Sequence, residues 1–130
     1  QAARARARDE GSRPPVSPMR DDRLRLLDIL DAIAQIEQQA SKGKDAFLHD
    51  ALVQVWMRHH LQVIGEAAAG LTRELRERMP DIEWADIISM RNILVHEYFG
   101  VDLGQVWDAV ALELPKLKRE VEGILEGLPG

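Results

Sequence analysis

The chain has 130 residues, 45% of them hydrophobic, with no cysteine and a formal net charge of −5. That is one domain's worth of chain with enough apolar residues to form a core. The lack of cysteine excludes disulfides, thiolate nucleophiles and Cys-based zinc sites, and the acidic balance argues against a general nucleic-acid coat protein.

Residues 1–18 hold Arg4, Arg6, Arg8 and Arg13 against Asp9 and Glu10, a net of +2 that leaves −7 on residues 19–130. Three prolines and almost no large apolar residue mark this stretch as a disordered leader outside the functional domain. Its Ala-Arg alternation has the look of an organellar presequence, but the acids and prolines spoil an amphipathic helix. Met19 reads as a natural start, so the leader is either native or an artefact of an upstream start or of the expression vector. Residues 19–130 are read as one helical domain.

From Asp21, Leu24, Leu27, Leu30 and Ala34 follow three- and four-residue steps, with Ile33 and Ile36 widening the stripe. This predicts a helix to near Ala40, stopped by Ser41-Lys42-Gly43-Lys44. Asp45 is placed as the N-cap of a long second helix over 46–78. Phe47, Ala51, Val55, Leu61, Ile64, Ala68 and Leu71 trace its buried side. Gly65 and Gly70 each lower helix propensity by roughly 1 kcal/mol relative to Ala, so Gly65-Glu66-Ala67-Ala68-Ala69 is expected to be a close helix crossing. After Met79-Pro80-Asp81 a third helix is predicted from Glu83 to Tyr98, and after Gly100-Val101-Asp102 a fourth to Leu125, kinked at Pro115. The fold class is therefore all-α, a four- to five-helix up-down bundle. The apolar width of the first two helices suggests that part of their surface pairs with a second subunit. No apolar run approaches the roughly 20 residues needed to cross a bilayer, so the default expectation is a cytoplasmic protein without a membrane partner.

The third helix carries the chemistry. Arg91-Asn92-Ile93-Leu94-Val95-His96-Glu97-Tyr98 puts a permanent cation, an amide, an imidazole and a phenol within about two turns of an otherwise apolar segment. Arginine grips phosphate through a planar fork, and histidine suits proton transfer near neutrality. Phosphate chemistry follows as the first hypothesis. At about 100° per residue, Arg91 and Tyr98 share nearly one face, Asn92 and His96 stack on an adjacent one, and Arg91 and His96 diverge by about 140°. Either the helix loosens near His96, or two copies face each other and complete a shared site, which predicts a symmetric homodimer.

Singly, each residue has a blander reading: Arg or His as a solvated or capping side chain, Tyr98 as a core-edge residue. Arg58 and the triplet Arg73, Arg76 and Arg78 could build a local basic cleft, although Glu74 and Glu77 make the triplet more simply a solvated face. Glu66, between small residues at a crossing, is expected to be buried and to pair with Arg91 or Arg58. His59 and His60, about 100° apart on a helix, cannot both bind one ion, and no metal site or cofactor is expected. Trp84 and Trp107 read as core, Trp56 as core or dimer surface.

The run Asp81-Ile82-Glu83-Trp84-Ala85-Asp86-Ile87-Ile88-Ser89-Met90, continuing through Arg91 to Asp102, resembles the signature of HepT-type proteins of the HEPN superfamily. Gly65-Glu66-Ala67-Ala68 upstream, and Val106-Trp107 with Leu114-Pro115 downstream, fit the same pattern, so that the resemblance covers the chain from Met19 onward. Its core is an Arg, four residues, a His, one residue and a Tyr: Arg91, His96 and Tyr98. The resemblance implies a small all-helical dimer acting as a toxin in a type VII-like toxin–antitoxin pair and cutting RNA without metal. It also implies a minimal nucleotidyltransferase antitoxin that transfers AMP to Tyr98. Arg91, His96 and Asn92 are then the catalytic set and Tyr98 the modified residue, with Glu66 and Arg58 in supporting positions. A second reading stays open, a non-catalytic helical adaptor that binds the nucleotidyltransferase, with the polar cluster as its docking patch.

Overall fold

The computed structural model describes residues 18–96 and 102–128, with side chains described over 21–92 and 102–128. All regular structure among them is helical, as the all-α reading requires. The elements are α1 (Pro18–Ala40), α2 (Lys44–His49), α3 (Ala51–Ala69), α4 (Arg73–Arg78), α5 (Trp84–His96), α6 (Leu103–Asp108), a π-helical turn (Ala109–Glu113) and α7 (Leu114–Gly127).

Helix α1 has leucines on more than one side, and the core takes a different stripe from the one expected. Leu26, Ile29, Ala32, Ile33 and Ile36 are buried, whereas Leu24 and Leu27 are 50% and 43% exposed. The i, i+3, i+7, i+10 row from Leu26 carries three isoleucines and no charge, while the row through Leu24 and Leu27 continues into Asp31. Only the first can be desolvated throughout.

The single long second helix is three helices. Gly43, at φ +94°, makes the turn out of α1 in a backbone conformation that a side chain would strain. The short α2 follows, and Gln54 Nε2 donates to the carbonyls of Phe47 and Leu48 at its end. The true N-cap of the long helix is Asp50, not Asp45: Asp50 Oδ1 accepts from the backbone N–H groups of Leu52 and Val53. Helix α3 ends at Gly70, and Thr72 caps α4 by accepting from Leu75 N. The shift of cap changes the buried face. Val53, Met57, Leu61, Ile64 and Ala68 point inward, and Val55 is 50% exposed.

Asp22 in α1 is buried and accepts from both Thr72 N (2.9 Å) and Thr72 Oγ1 (2.7 Å), tying the start of α1 to the α3–α4 corner. Pro115 does more than kink the last helix. It has no N–H to offer the carbonyl four residues back, and the preceding turn widens so that Leu114 N donates to Ala109 O. Trp107 stacks at 5.6 Å on the buried Phe47, and Trp84 is buried with its indole N–H donating to Met79 O. Helix α3 sits centrally, packed on α1 along one side and α5 along another, while α7 closes against α1. No helix among the described residues is long and apolar enough to cross a membrane.

Candidate active site

The site forms where α3 meets α5. Trp84 pins the beginning of α5, and Ile87, Ile88 and Met90 pack it on the core, so Arg91 arrives at a fixed height on α3. Opposite it stands Gly65. A side-chain carbon at position 65 would overlap the Arg91 Cβ, lie 3.0 Å from its Cγ and 3.3 Å from Ile87 O. The crossing expected at Gly65-Glu66-Ala67-Ala68-Ala69 is therefore present, with Arg91 as the residue it admits.

The Arg91 guanidinium is held at both Nη atoms. Nη1 donates to Asn92 Oδ1 at 2.9 Å, and Nη2 lies 3.5 Å from Glu66 Oε2. Its Nε is buried without a partner among the described residues. Of the five N–H donors of a guanidinium, this leaves one on each Nη for an incoming anion. The side chain as a whole is 34% exposed. Glu66 corrects an expectation: it is 56% exposed, not buried. One residue past Gly65, it has turned about 100° out of the crossing and meets the guanidinium from the outside.

Arg58 is half-buried on the same side of α3 as Gly65, seven residues earlier. Arg73, Arg76 and Arg78 sit on the separate short helix α4, with Glu74 and Glu77 exposed between them. Helix α5 runs unbroken from Trp84 to His96, so the loosening considered above does not occur before His96, and positions 91 and 96 stay about 140° apart around the axis. The His96 side chain and all of Tyr98 lie outside the described residues.

A cavity of about 290 Å³ opens one turn from Arg91, over Ile64, Ile87, Met90 and Leu117. Glu83, Asp86, Glu113 and Glu120 line it against Lys116 alone, so it repels phosphate. The His59 and His60 rings meet edge to face at 4.8 Å, and His60 meets Trp56 at 4.7 Å, making an aromatic patch on α3. Burial and the neighbouring His59 lower the His60 pKa, and Asp31 partly opposes them. Among the described residues no three His, Cys, Asp or Glu side chains converge as a metal site would require.

Residues 29–124 match the family described as ribonuclease HepT-like. The chain belongs to the HepT-like ribonuclease family. It is 38% identical over 110 residues to "Gamma-glutamylcyclotransferase and putative RNase MJ0434" of Methanocaldococcus jannaschii, covering 84% of this chain and 50% of that protein. It is 34% identical over 104 residues to "Putative RNase MJ1380" of the same organism, covering 79% of this chain and 95% of the relative. It is 35% identical over 98 residues to "Probable ribonuclease HepT" of Thermococcus cleftensis, covering 75% and 89%. The chain thus spans half the length of the first relative and nearly all of the other two. No solved structure matches it. This HepT-type helical domain carries Arg91 and His96 of the motif on α5, with Arg91 seated against the glycine of α3.

The sequence missed two things at this site. Asn92 was read only as a member of the catalytic set, and in the structure its amide oxygen accepts from Arg91. Gly65 was flagged only as a crossing point. Its helix-breaking cost was the available signal, but propensity cannot say which residue of another helix fills the space.

Proposed function

We propose that this protein is a metal-independent RNA endonuclease and the toxin of a toxin–antitoxin pair. The observation that carries the reading is Arg91, a partly exposed guanidinium fixed at a helix crossing with an N–H donor left on each Nη. In the reaction, His96 as general base takes the proton of a ribose 2′-OH. The O2′ attacks the adjacent phosphorus, the P–O5′ bond breaks, and O5′ leaves with a proton from a general acid, the other role open to His96. The products are a 2′,3′-cyclic phosphate and a 5′-OH. Charge grows on the non-bridging oxygens as the phosphorus becomes five-coordinate, and the two remaining Arg91 donors match that pair of oxygens. Asn92 and Glu66 hold the fork, and Arg58 adds positive charge along the same side of α3.

Because positions 91 and 96 diverge on one continuous helix, the working unit is a C2 homodimer with a composite cleft. Outward-facing Leu24 and Leu27 on α1, and Leu52 and Val55 on α3, are apolar surface that a second copy would cover. Control acts at Tyr98. A minimal nucleotidyltransferase adds AMP to its hydroxyl, placing an anion in the phosphate path, where Arg91 captures it. Such a protein works in the cytoplasm. The −7 charge of residues 19–130 favours a second reading, a non-catalytic adaptor for the nucleotidyltransferase. Purified protein incubated with RNA in EDTA separates the two: cleavage that His96→Ala abolishes supports the nuclease, and RNA left intact by wild type supports the adaptor.

A further inference from the structure

Gly65 and Glu66 are adjacent on α3, yet both touch Arg91, one at each end of its side chain. The Cβ and Cγ of Arg91 occupy the space that a side chain at position 65 would need, so the arginine stem lies on the bare backbone of α3. At the other end, the Glu66 carboxylate meets Nη2 while Asn92 accepts from Nη1. Arginine has several rotatable bonds, and a fork that must meet two oxygens loses effectiveness if those bonds are free. Here the stem is fixed by contact and the head by two polar partners.

We infer that Gly65-Glu66 is a positioning device for Arg91: Gly65 sets where the side chain leaves α5, and Glu66 sets the rotation of its fork. The inference rests on the reading of Arg91 as the phosphate-binding cation, and it assigns the two α3 residues no contact with substrate. The two parts differ in kind. The ion pair is long and exposed, the kind that contributes little to stability, so the role of Glu66 is orientation. Gly65 sits inside a helix, where Ala would be the better helix former. The space it leaves is filled by Arg91.

A methyl at position 65 overlaps the Arg91 Cβ, and ordinary carbon contacts lie near 3.5–4.0 Å. Clearing the overlap therefore moves Arg91 by about an ångström or more, and misplacement of that size costs on the order of 10²-fold in rate. Gly65→Ala should lower kcat for RNA cleavage about 100-fold, with KM changed far less. Glu66→Ala should lower kcat about tenfold and Glu66→Gln about threefold, since the amide oxygen still accepts from Nη2 without the charge.

The test combines these kinetics with nitrogen-15 NMR of the arginine side chains in the full-length protein, Arg91 being assigned by the signal lost in Arg91→Lys. A clamped guanidinium rotates slowly and gives resolved Nη signals in wild type, which should merge in Glu66→Ala and shift in Gly65→Ala. The spectra report on the clamp even where wild type cuts no RNA, so failure of the nuclease reading and failure of the clamp are told apart. Arg91 signals that are identical in wild type, Gly65→Ala and Glu66→Ala overturn the inference. So does a Glu66→Ala protein that keeps full kcat and binds RNA more tightly, because Glu66 would then be a competitor of phosphate. If Gly65→Ala does not fold, the exposed Glu66 pair of variants, with partial rescue by Gln over Ala, decides the question.

Discussion

Asp22 gives the sharpest stability prediction. Its carboxylate is 5% exposed and accepts two hydrogen bonds from one residue, Thr72 N at 2.9 Å and Thr72 Oγ1 at 2.7 Å. Asp22→Ala removes both and leaves the amide of Thr72 unsatisfied at a partly buried helix corner. A hydrogen bond to a charged acceptor contributes about 1.5–3 kcal/mol, and an unsatisfied buried donor costs about 1–3 kcal/mol. Thr72 is itself half-exposed and its hydroxyl can turn to water, so the sum is discounted to about 2–4 kcal/mol. For a domain of this size that lowers Tm by on the order of 10 °C. Asp22→Asn, which keeps an acceptor, should lose about half as much. Urea unfolding of Asp22→Ala, Thr72→Ala and the double variant measures the coupling directly, expected at about 1–2 kcal/mol. An Asp22→Ala protein within about 0.5 kcal/mol of wild type, the usual range of surface substitutions, would refute the argument that this buried carboxylate ties α1 to the α3–α4 corner.

Three further outcomes follow from the same structure. His60 has a lowered pKa, chiefly from burial and then from His59, so the unfolded chain binds its proton more readily; stability should fall as pH drops from above about 6.5, and urea titrations of His60→Gln should show a shallower decline over that window. Light scattering should give twice 14.7 kDa for wild type, and Leu52→Lys with Val55→Lys should shift it toward 14.7 kDa by charging the outward row of α3; a monomeric wild type at micromolar concentration removes the composite cleft. Co-expression with a cognate nucleotidyltransferase should add one or more units of about 329 Da, the mass of AMP less water, to Tyr98, the one tyrosine of the chain; intact-mass spectrometry showing the same addition on Tyr98→Phe would discard the modification site.

The all-helical class and the presence of a close crossing at Gly65 were legible because both rest on strong local signals: apolar periodicity without strand alternation, and a glycine retained within a helix. Helix boundaries were less so. Asp45 and Asp50 are equally good caps by type, and only tertiary packing of Met57, Leu61 and Ile64 decides which phase of the helix faces inward. The same ambiguity misplaced Val55 and Leu24. The motif that begins on α5 with Arg91 was legible as composition and spacing, and Glu66 as a partner of Arg91 was one of two options. The Asp22–Thr72 link was not legible, since it joins residues fifty apart through a corner inside what read as one continuous helix.

The central claim is that Arg91 and His96 act together on RNA across two copies of the chain. The direct measurement mixes Arg91→Ala and His96→Ala proteins, allows the subunits to exchange, and follows RNA cleavage in EDTA with product analysis. Each variant alone should be inactive. In a mixture, half the dimers carry one intact Arg91 and one intact His96 on opposite chains, so activity should return to about a quarter of wild type, with 2′,3′-cyclic phosphate ends. Exchange confirmed by mass spectrometry with no recovered cleavage would contradict the composite cleft, and cleavage by either variant alone at the wild-type rate would contradict the assignment of the site itself.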